Sequence, residues 1–185
     1  MGRISSGLYQ GARYLASPNC DERADEADIT LLVVHGISLP PGRFGGAYID
    51  QLFTNKLEPD EDPYFAEIHE LRVSSHLLIR RDGEVVQYVP FDQRAWHAGV
   101  SEFSGRERCN DYSIGIELEG TDDTPYEPIQ YQRLAEVSRE IMLEYPHITK
   151  ERIVGHCDIA PGRKTDPGPV FDWSHYFDLL QGRSI

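Results

Sequence analysis

The segment Ile29 to His35, ITLLVVH, is an apolar run rich in β-branched residues, which predicts a buried central strand ending on a histidine. Arg152 to His156, RIVGH, is a second short apolar run that also ends on a histidine. Between them, Ser75 to Val89 holds two apolar runs around Asp82-Gly83, a dipeptide that tolerates the positive φ of a tight hairpin turn. Ser113 to Gly120 alternates, with Ile114, Ile116 and Leu118 on one face and Ser113, Gly115, Glu117 and Glu119 on the other. Tyr131, Leu134, Ala135, Ser138, Ile141, Met142 and Tyr145 recur at helical spacing, starting near Pro128 and stopping at Pro146. Ala47 to Phe53 predicts a short helix, Glu58 to Pro63 a surface excursion, and a last amphipathic helix starts near Asp172 with Trp173, Phe177 and Leu180 facing inward. Strands and helices interleave while the hairpin excludes a purely parallel sheet. The expectation is therefore an α/β fold: one domain over residues 1–185, core about 29–182, with a mixed central sheet flanked by helices.

Composition narrows the function classes. With 185 residues, 39% of them hydrophobic and 26% charged, the chain can bury one sizeable core. A net charge of −13 argues against binding nucleic-acid phosphates or anionic lipid, so an anionic ligand needs a local basic pocket. The first residues lack the apolar core of about 7–15 residues typical of a signal peptide, and no run approaches the roughly 18 apolar residues of a membrane span. Three scattered cysteines, Cys20, Cys109 and Cys157, form no disulfide framework. These features lead to the expectation of a cytoplasmic protein with neither nucleic-acid nor membrane partners; a monomer is expected, although no feature of the chain fixes its oligomeric state. Met1-Gly2 with Ser6 fits the N-myristoylation pattern, a match too short to carry weight.

Two buried strands that each deliver a histidine at their C-terminal end place His35 and His156 at one edge of the sheet. Ten residues after His156, in a loop shaped by Gly162, Pro167, Gly168 and Pro169, comes Asp166, whose carboxylate has room to return to the histidines. Two histidines and a carboxylate, with a fourth position open, form the ligand set of a catalytic zinc ion. Asp158 competes with Asp166 on sequence grounds. Cys157, if His156 is still extended, points to the opposite face. His69, His76, His147 and His175 read as ordinary hydrogen-bonded histidines, with His76 the strongest spare ligand or supporting partner. Water activated by such a metal needs a group to take its proton and another to support the growing oxyanion. Glu117 and Lys164 suit these tasks, and alternation alone does not separate Glu117 from Glu119.

Four blocks in order, LLVVHGISLPPGRFGG, HLLIRRDGEVVQYVPFDQRAWHAGVS, GRERCNDYSIGIELEGTD and GHCDIAPGRKTDPGP, make the chain resemble the zinc-dependent N-acetylmuramoyl-L-alanine amidases over almost its whole length. That family includes cytosolic anhydromuropeptide amidases, phage lysozyme-type amidases and peptidoglycan recognition proteins. The resemblance implies the peptidoglycan recognition protein-like fold, and zinc held by His35, His156 and Asp166. It also implies Glu117 and Lys164 as the catalytic pair, Asp166 over Asp158 and Glu117 over Glu119. The implied substrate is a small muropeptide, cleaved at the lactyl amide between (1,6-anhydro-)N-acetylmuramic acid and L-alanine during wall recycling. Arg72 and Arg108 are expected to pair with peptide carboxylates, Trp96 to pack against the sugar, and His97 to bond the substrate or orient a ligand. The chain departs from the family at Gly36, where members often carry asparagine, and so lacks one side-chain hydrogen bond to substrate. The competing readings are a non-catalytic muropeptide-binding module and an amidase of intact peptidoglycan.

Overall fold

The computed structural model describes residues 3–25 and 28–182; Met1 and Gly2 of the myristoylation pattern lie outside them. Along the chain, β1 (Ile4–Ser5) and β2 (Leu8–Tyr9) form a small antiparallel pair, followed by β3 (Arg13–Tyr14) and β4 (Cys20–Glu22). The first long strand is β5 (Leu31–Ile37), after which come helices α1 (Tyr48–Phe53) and α2 (Phe65–Ile68). Strands β6 (Leu77–Ile79) and β7 (Val85–Gln87) make the hairpin expected around Asp82-Gly83, with Gly83 at φ 86°. Then follow β8 (Gln93–Ala95), paired with β4, a second small pair β9 (Glu102–Phe103) and β10 (Arg106–Glu107), and the long strand β11 (Ser113–Glu119). The remaining elements are α3 (Pro128–Glu144), β12 (Ile153–Gly155), the single turn α4 (His156–Ile159) and α5 (Trp173–Leu180).

The main sheet runs β12-β5-β11-β6-β7-β3, parallel throughout except between β6 and β7. It is the mixed sheet that the pattern predicts, and helices flank it. Its first face is covered by α3 and α5: Leu32 and Val34 of β5 and Ile114, Ile116 and Leu118 of β11 pack with Leu134, Val137, Ile141 and Tyr176. Pro128 opens α3, where Glu127 and Gln130 exchange the reciprocal bonds of a capping box. Both faces of β11 are buried, because the polar face predicted for it is also covered.

That second face is covered in two pieces. One apolar cluster gathers α1, α2 and Leu78, Val86 and Tyr88; another gathers Leu31, Val33, Ala98, Cys109, Tyr112 and Ile159. Polar side chains fill the seam between them, as described below.

Two strand boundaries differ from the sequence reading. Strand β5 continues two residues past His35, since Gly36 and Ile37 keep pairing with Leu118 and Glu119. The Arg152 to His156 run ends as a strand at Gly155, because the Asp158 carboxylate accepts the Gly155 N–H (2.7 Å) and starts a helical turn at His156. Cys157 is thus turned away by helical rotation rather than by strand alternation, and its own N–H donates to the Asp166 carbonyl (3.0 Å). In α5, Trp173, Phe177 and Leu180 pack on the core as the spacing predicts, and Tyr176 is the fully buried aromatic beside them.

Candidate active site

Parallel pairing places Glu117 directly opposite His35, and alternation sends both side chains to the second face of the sheet. Gly155 pairs with Val34, so His156 emerges beside His35 at the next strand. The loop after α4 then brings in Asp166, held through the Cys157 N–H and through the Tyr126 hydroxyl, which donates to the Pro167 carbonyl (2.8 Å). Three donor atoms converge: His35 Nδ1 lies 3.0 Å from His156 Nδ1 and 3.2 Å from Asp166 Oδ2, and His156 Nδ1 lies 3.1 Å from the same oxygen. A tetrahedral ion with bonds of about 2.0–2.1 Å sets its ligands about 3.3 Å apart, so this triangle fits such an ion with a shift of a few tenths of an ångström. Two imidazoles and a carboxylate are the donor set zinc accepts, and the triangle leaves one side uncommitted.

Electrostatics agree with a cation there. Burial lowers the His35 pKa to about 4, keeping the imidazole neutral and its lone pair available. Burial opposes ionisation of Asp166, but hydrogen bonds with His156 and His35 outweigh it and hold the carboxyl well below its ordinary range. Glu117 is 8% exposed, its Oε2 has no hydrogen-bond partner, and its Oε1 sits 4.0 Å from His35 Nδ1. Burial, and then the Asp166 charge, push its pKa well above the usual carboxylate value, while Lys164 draws it back. A buried carboxyl that keeps one oxygen unpartnered is costly unless it serves a ligand or a proton.

A cavity of about 370 Å³ opens over these groups, lined on one side by His35, His97, Glu117, His156, Lys164 and Asp166. Its other side is apolar, with Leu39, Leu52, Phe53, Ile68, Val73 and Trp96. The two carboxylates that competed on sequence grounds are engaged elsewhere. Asp158 caps α4 from the surface, and Glu119 accepts N–H groups from Gly45 (2.6 Å) and Arg81 (3.3 Å).

The other predicted residues divide. Trp96 lines the cavity and donates from Nε1 to Asp21 (3.2 Å). His97 lines it too, but its ring nitrogens face His35 Nε2 (2.8 Å) and Ser113 Oγ (3.0 Å). Arg72 is exposed, donates to the Glu70 carbonyl (3.1 Å) and is not part of the cavity wall. Arg108 is 73% exposed, pairs with Asp111 (3.1 Å) and lines a neighbouring groove of about 780 Å³ together with Arg163. His76, the spare ligand candidate, lies outside the triangle: its Nδ1 accepts the Gly115 N–H (3.0 Å) and its Nε2 meets the Gln93 carbonyl (3.0 Å). A Cβ on Gly36 would meet the Tyr126 hydroxyl at 2.5 Å, so a side chain there requires that tyrosine to shift.

Sequence reasoning missed Ser113, Gly115, Asn110 and Tyr126. For the first two a signal existed: Ser113, Gly115 and Glu117 share one face of a buried strand, and small polar residues on such a face mark something packed above them.

The profile of the N-acetylmuramoyl-L-alanine amidase family matches residues 25–169. The chain is 62% identical over 177 residues to 1,6-anhydro-N-acetylmuramyl-L-alanine amidase AmpD of Escherichia coli (strain K12), covering 96% of each. Among solved structures, it superimposes with a TM-score of 0.93 on a crystal structure of a selenomethionine AmpD derivative, at 59% identity, over 96% of this chain and 98% of that one. It also matches the amidase AmiD from E. coli in complex with the substrate anhydro-N-acetylmuramic acid-L-Ala-D-γ-Glu-L-Lys, with a TM-score of 0.61 and 34% identity, over 86% of this chain and 60% of that one.

Proposed function

The chain belongs to the N-acetylmuramoyl-L-alanine amidase family, and from that premise we propose that it hydrolyses the lactyl amide joining 1,6-anhydro-N-acetylmuramic acid to L-alanine in recycled muropeptides, with zinc as cofactor. The observation that carries this reading is the meeting of three convergent metal donors and the buried Glu117 carboxyl, one oxygen of it unpartnered, in the wall of one cavity. His35, His156 and Asp166 would hold the ion, which supplies Lewis acidity for polarising a carbonyl and acidifying water.

The chain's own groups do the rest. Burial raises the Glu117 pKa and Lys164 opposes that rise, so the carboxyl is tuned to take a proton from the attacking water and return it to the departing alanine nitrogen. The Lys164 ammonium, on the same cavity wall, supports negative charge growing on the lactyl carbonyl oxygen. Leu39, Phe53 and Val73 exclude bulk water and strengthen both interactions. Trp96 would offer a flat apolar surface to the sugar, and Arg72 and Arg108, exposed and outside the catalytic pocket, would pair with peptide carboxylates arriving from solution. The protein is proposed to act as a monomer in the cytoplasm, a setting that its three free cysteines suit.

The test combines metal analysis with mass spectrometry of a digested anhydromuropeptide. Free peptide, free anhydro-sugar and one zinc per chain are expected. In Glu117→Gln, zinc should remain while turnover drops by ~10³-fold or more. Full activity in that variant overturns the base assignment, and stoichiometric binding without cleavage by the zinc-loaded wild type indicates a binding module instead.

A further inference from the structure

Each histidine of the metal triangle has a second ring nitrogen, and both of these are met by consecutive residues. His35 Nε2 lies 2.8 Å from His97 Nδ1, and His156 Nε2 lies 3.1 Å from the carbonyl of Ala98. The His35 and His97 rings meet edge to face, 88° apart. The backbone of this dipeptide is gripped from the other side: the side-chain oxygen of Asn110 accepts the N–H of His97 (3.1 Å) and that of Ala98 (2.8 Å). The His97 ring lies over Gly115, where a Cβ would come within 2.5 Å of its Cγ, and it ends at Ser113 Oγ.

From this geometry we propose that the His97–Ala98 dipeptide, clamped by Asn110, is the positioning element that fixes the tautomer and aim of both metal-binding histidines. The inference rests on the metal-dependent reading above.

The proton arrangement follows from donor and acceptor counting. For Nδ1 of His35 to present a lone pair to an ion, its proton must sit on Nε2 and be donated to His97 Nδ1. His97 is then the tautomer protonated on Nε2, which donates to Ser113. His156 must likewise carry its proton on Nε2, and a backbone carbonyl, which only accepts, enforces that choice. Asn110 suits the clamp because one carbonyl oxygen has two lone pairs for two N–H groups.

Near-isosteric substitutions separate this role from simple packing. In His97→Asn the amide oxygen replaces Nδ1 as acceptor for His35; in His97→Leu the shape is similar but the acceptor is gone. Zinc affinity, measured by chelator competition, should fall ~10–100-fold in His97→Leu and stay within about threefold of wild type in His97→Asn, with similar losses of melting temperature. Asn110→Asp should keep, and Asn110→Leu should lose, affinity in the same sense. Independently of any variant, long-range proton–nitrogen spectra of the zinc-loaded wild type should show His97 protonated on Nε2. Equal affinities in the two His97 variants, or a wild-type His97 protonated on Nδ1, overturn the inference while leaving the amidase reading intact. A wild-type chain that takes up no zinc overturns both.

Discussion

Glu117 and Glu119 differ only in what lies above them. Alternation puts both on one strand face, so the pattern alone could not choose, and family resemblance made the choice. The structure adds the physical reason: Glu119 is tied down by two backbone N–H groups and lies 3.8 Å from Arg80, whereas Glu117 lines the cavity and keeps one buried oxygen unpartnered. Substitution should therefore separate stability from chemistry. Glu119→Gln is expected to lower stability by roughly 1–3 kcal/mol in urea unfolding, since charge-assisted bonds are weakened, and to leave zinc content at one per chain. Lys164→Met should do the reverse. Its side chain is exposed, so the melting temperature should hold while kcat falls ~100-fold with little change in KM. A kcat within about twofold of wild type would remove Lys164 from the proposed oxyanion role.

At the level of elements, what was legible depended on length. The seventeen-residue α3, the seven-residue β5 and β11, and the β6–β7 hairpin each carry enough period or turn chemistry to be read from the chain. The pairs β1–β2, β4–β8 and β9–β10 were invisible, since strands of two or three residues have no period and owe their place to what they dock on. The same limit hid the use of β11 as a rack, in which Ser113, Gly115 and Glu117 successively receive the His97 tip, make room for its ring and face the cavity. Gly115→Ala tests that rack. The new methyl must displace His97, so stability should fall by about 1–3 kcal/mol and zinc affinity with it. Retained affinity in a destabilised Gly115→Ala protein would mean that the His97 position does not matter to the metal. The N-terminus of α3 is coupled to the same strand, because the buried Gln130 side chain donates to the carbonyls of Glu119 (3.0 Å) and Ile79 (3.2 Å).

Taken whole, the molecule concentrates its cost on one side of the sheet. The first face packs one continuous apolar cluster, while on the second two apolar clusters are parted by a seam holding His35, His76, His97, Ser113 and Glu117. Composition and charge predict a single core but say nothing of such a division, which depends on which distant segments fold over the strands. The seam makes a definite demand on pH. His76 is fully buried, its Nδ1 accepts a backbone N–H, and Arg23 stands 3.0 Å from its Nε2, with His97 and His35 beyond. Burial first, and the Arg23 charge second, hold its pKa well below 6.5. In the unfolded chain the same imidazole takes a proton near pH 6.5, so below that pH the unfolded state binds a proton the native state refuses. Stability from this group is therefore complete above about pH 7.5 and is lost as pH falls below about 6.5, by up to about 1.4 kcal/mol per pH unit. His76→Asn keeps an acceptor for Gly115 but removes the titration. Its unfolding free energy, whatever its value at pH 8, should decline less steeply than wild type between pH 6.5 and 4.5, by up to that slope. Parallel profiles for the two proteins would show that His76 gains its proton while still folded, and that the seam is open to water.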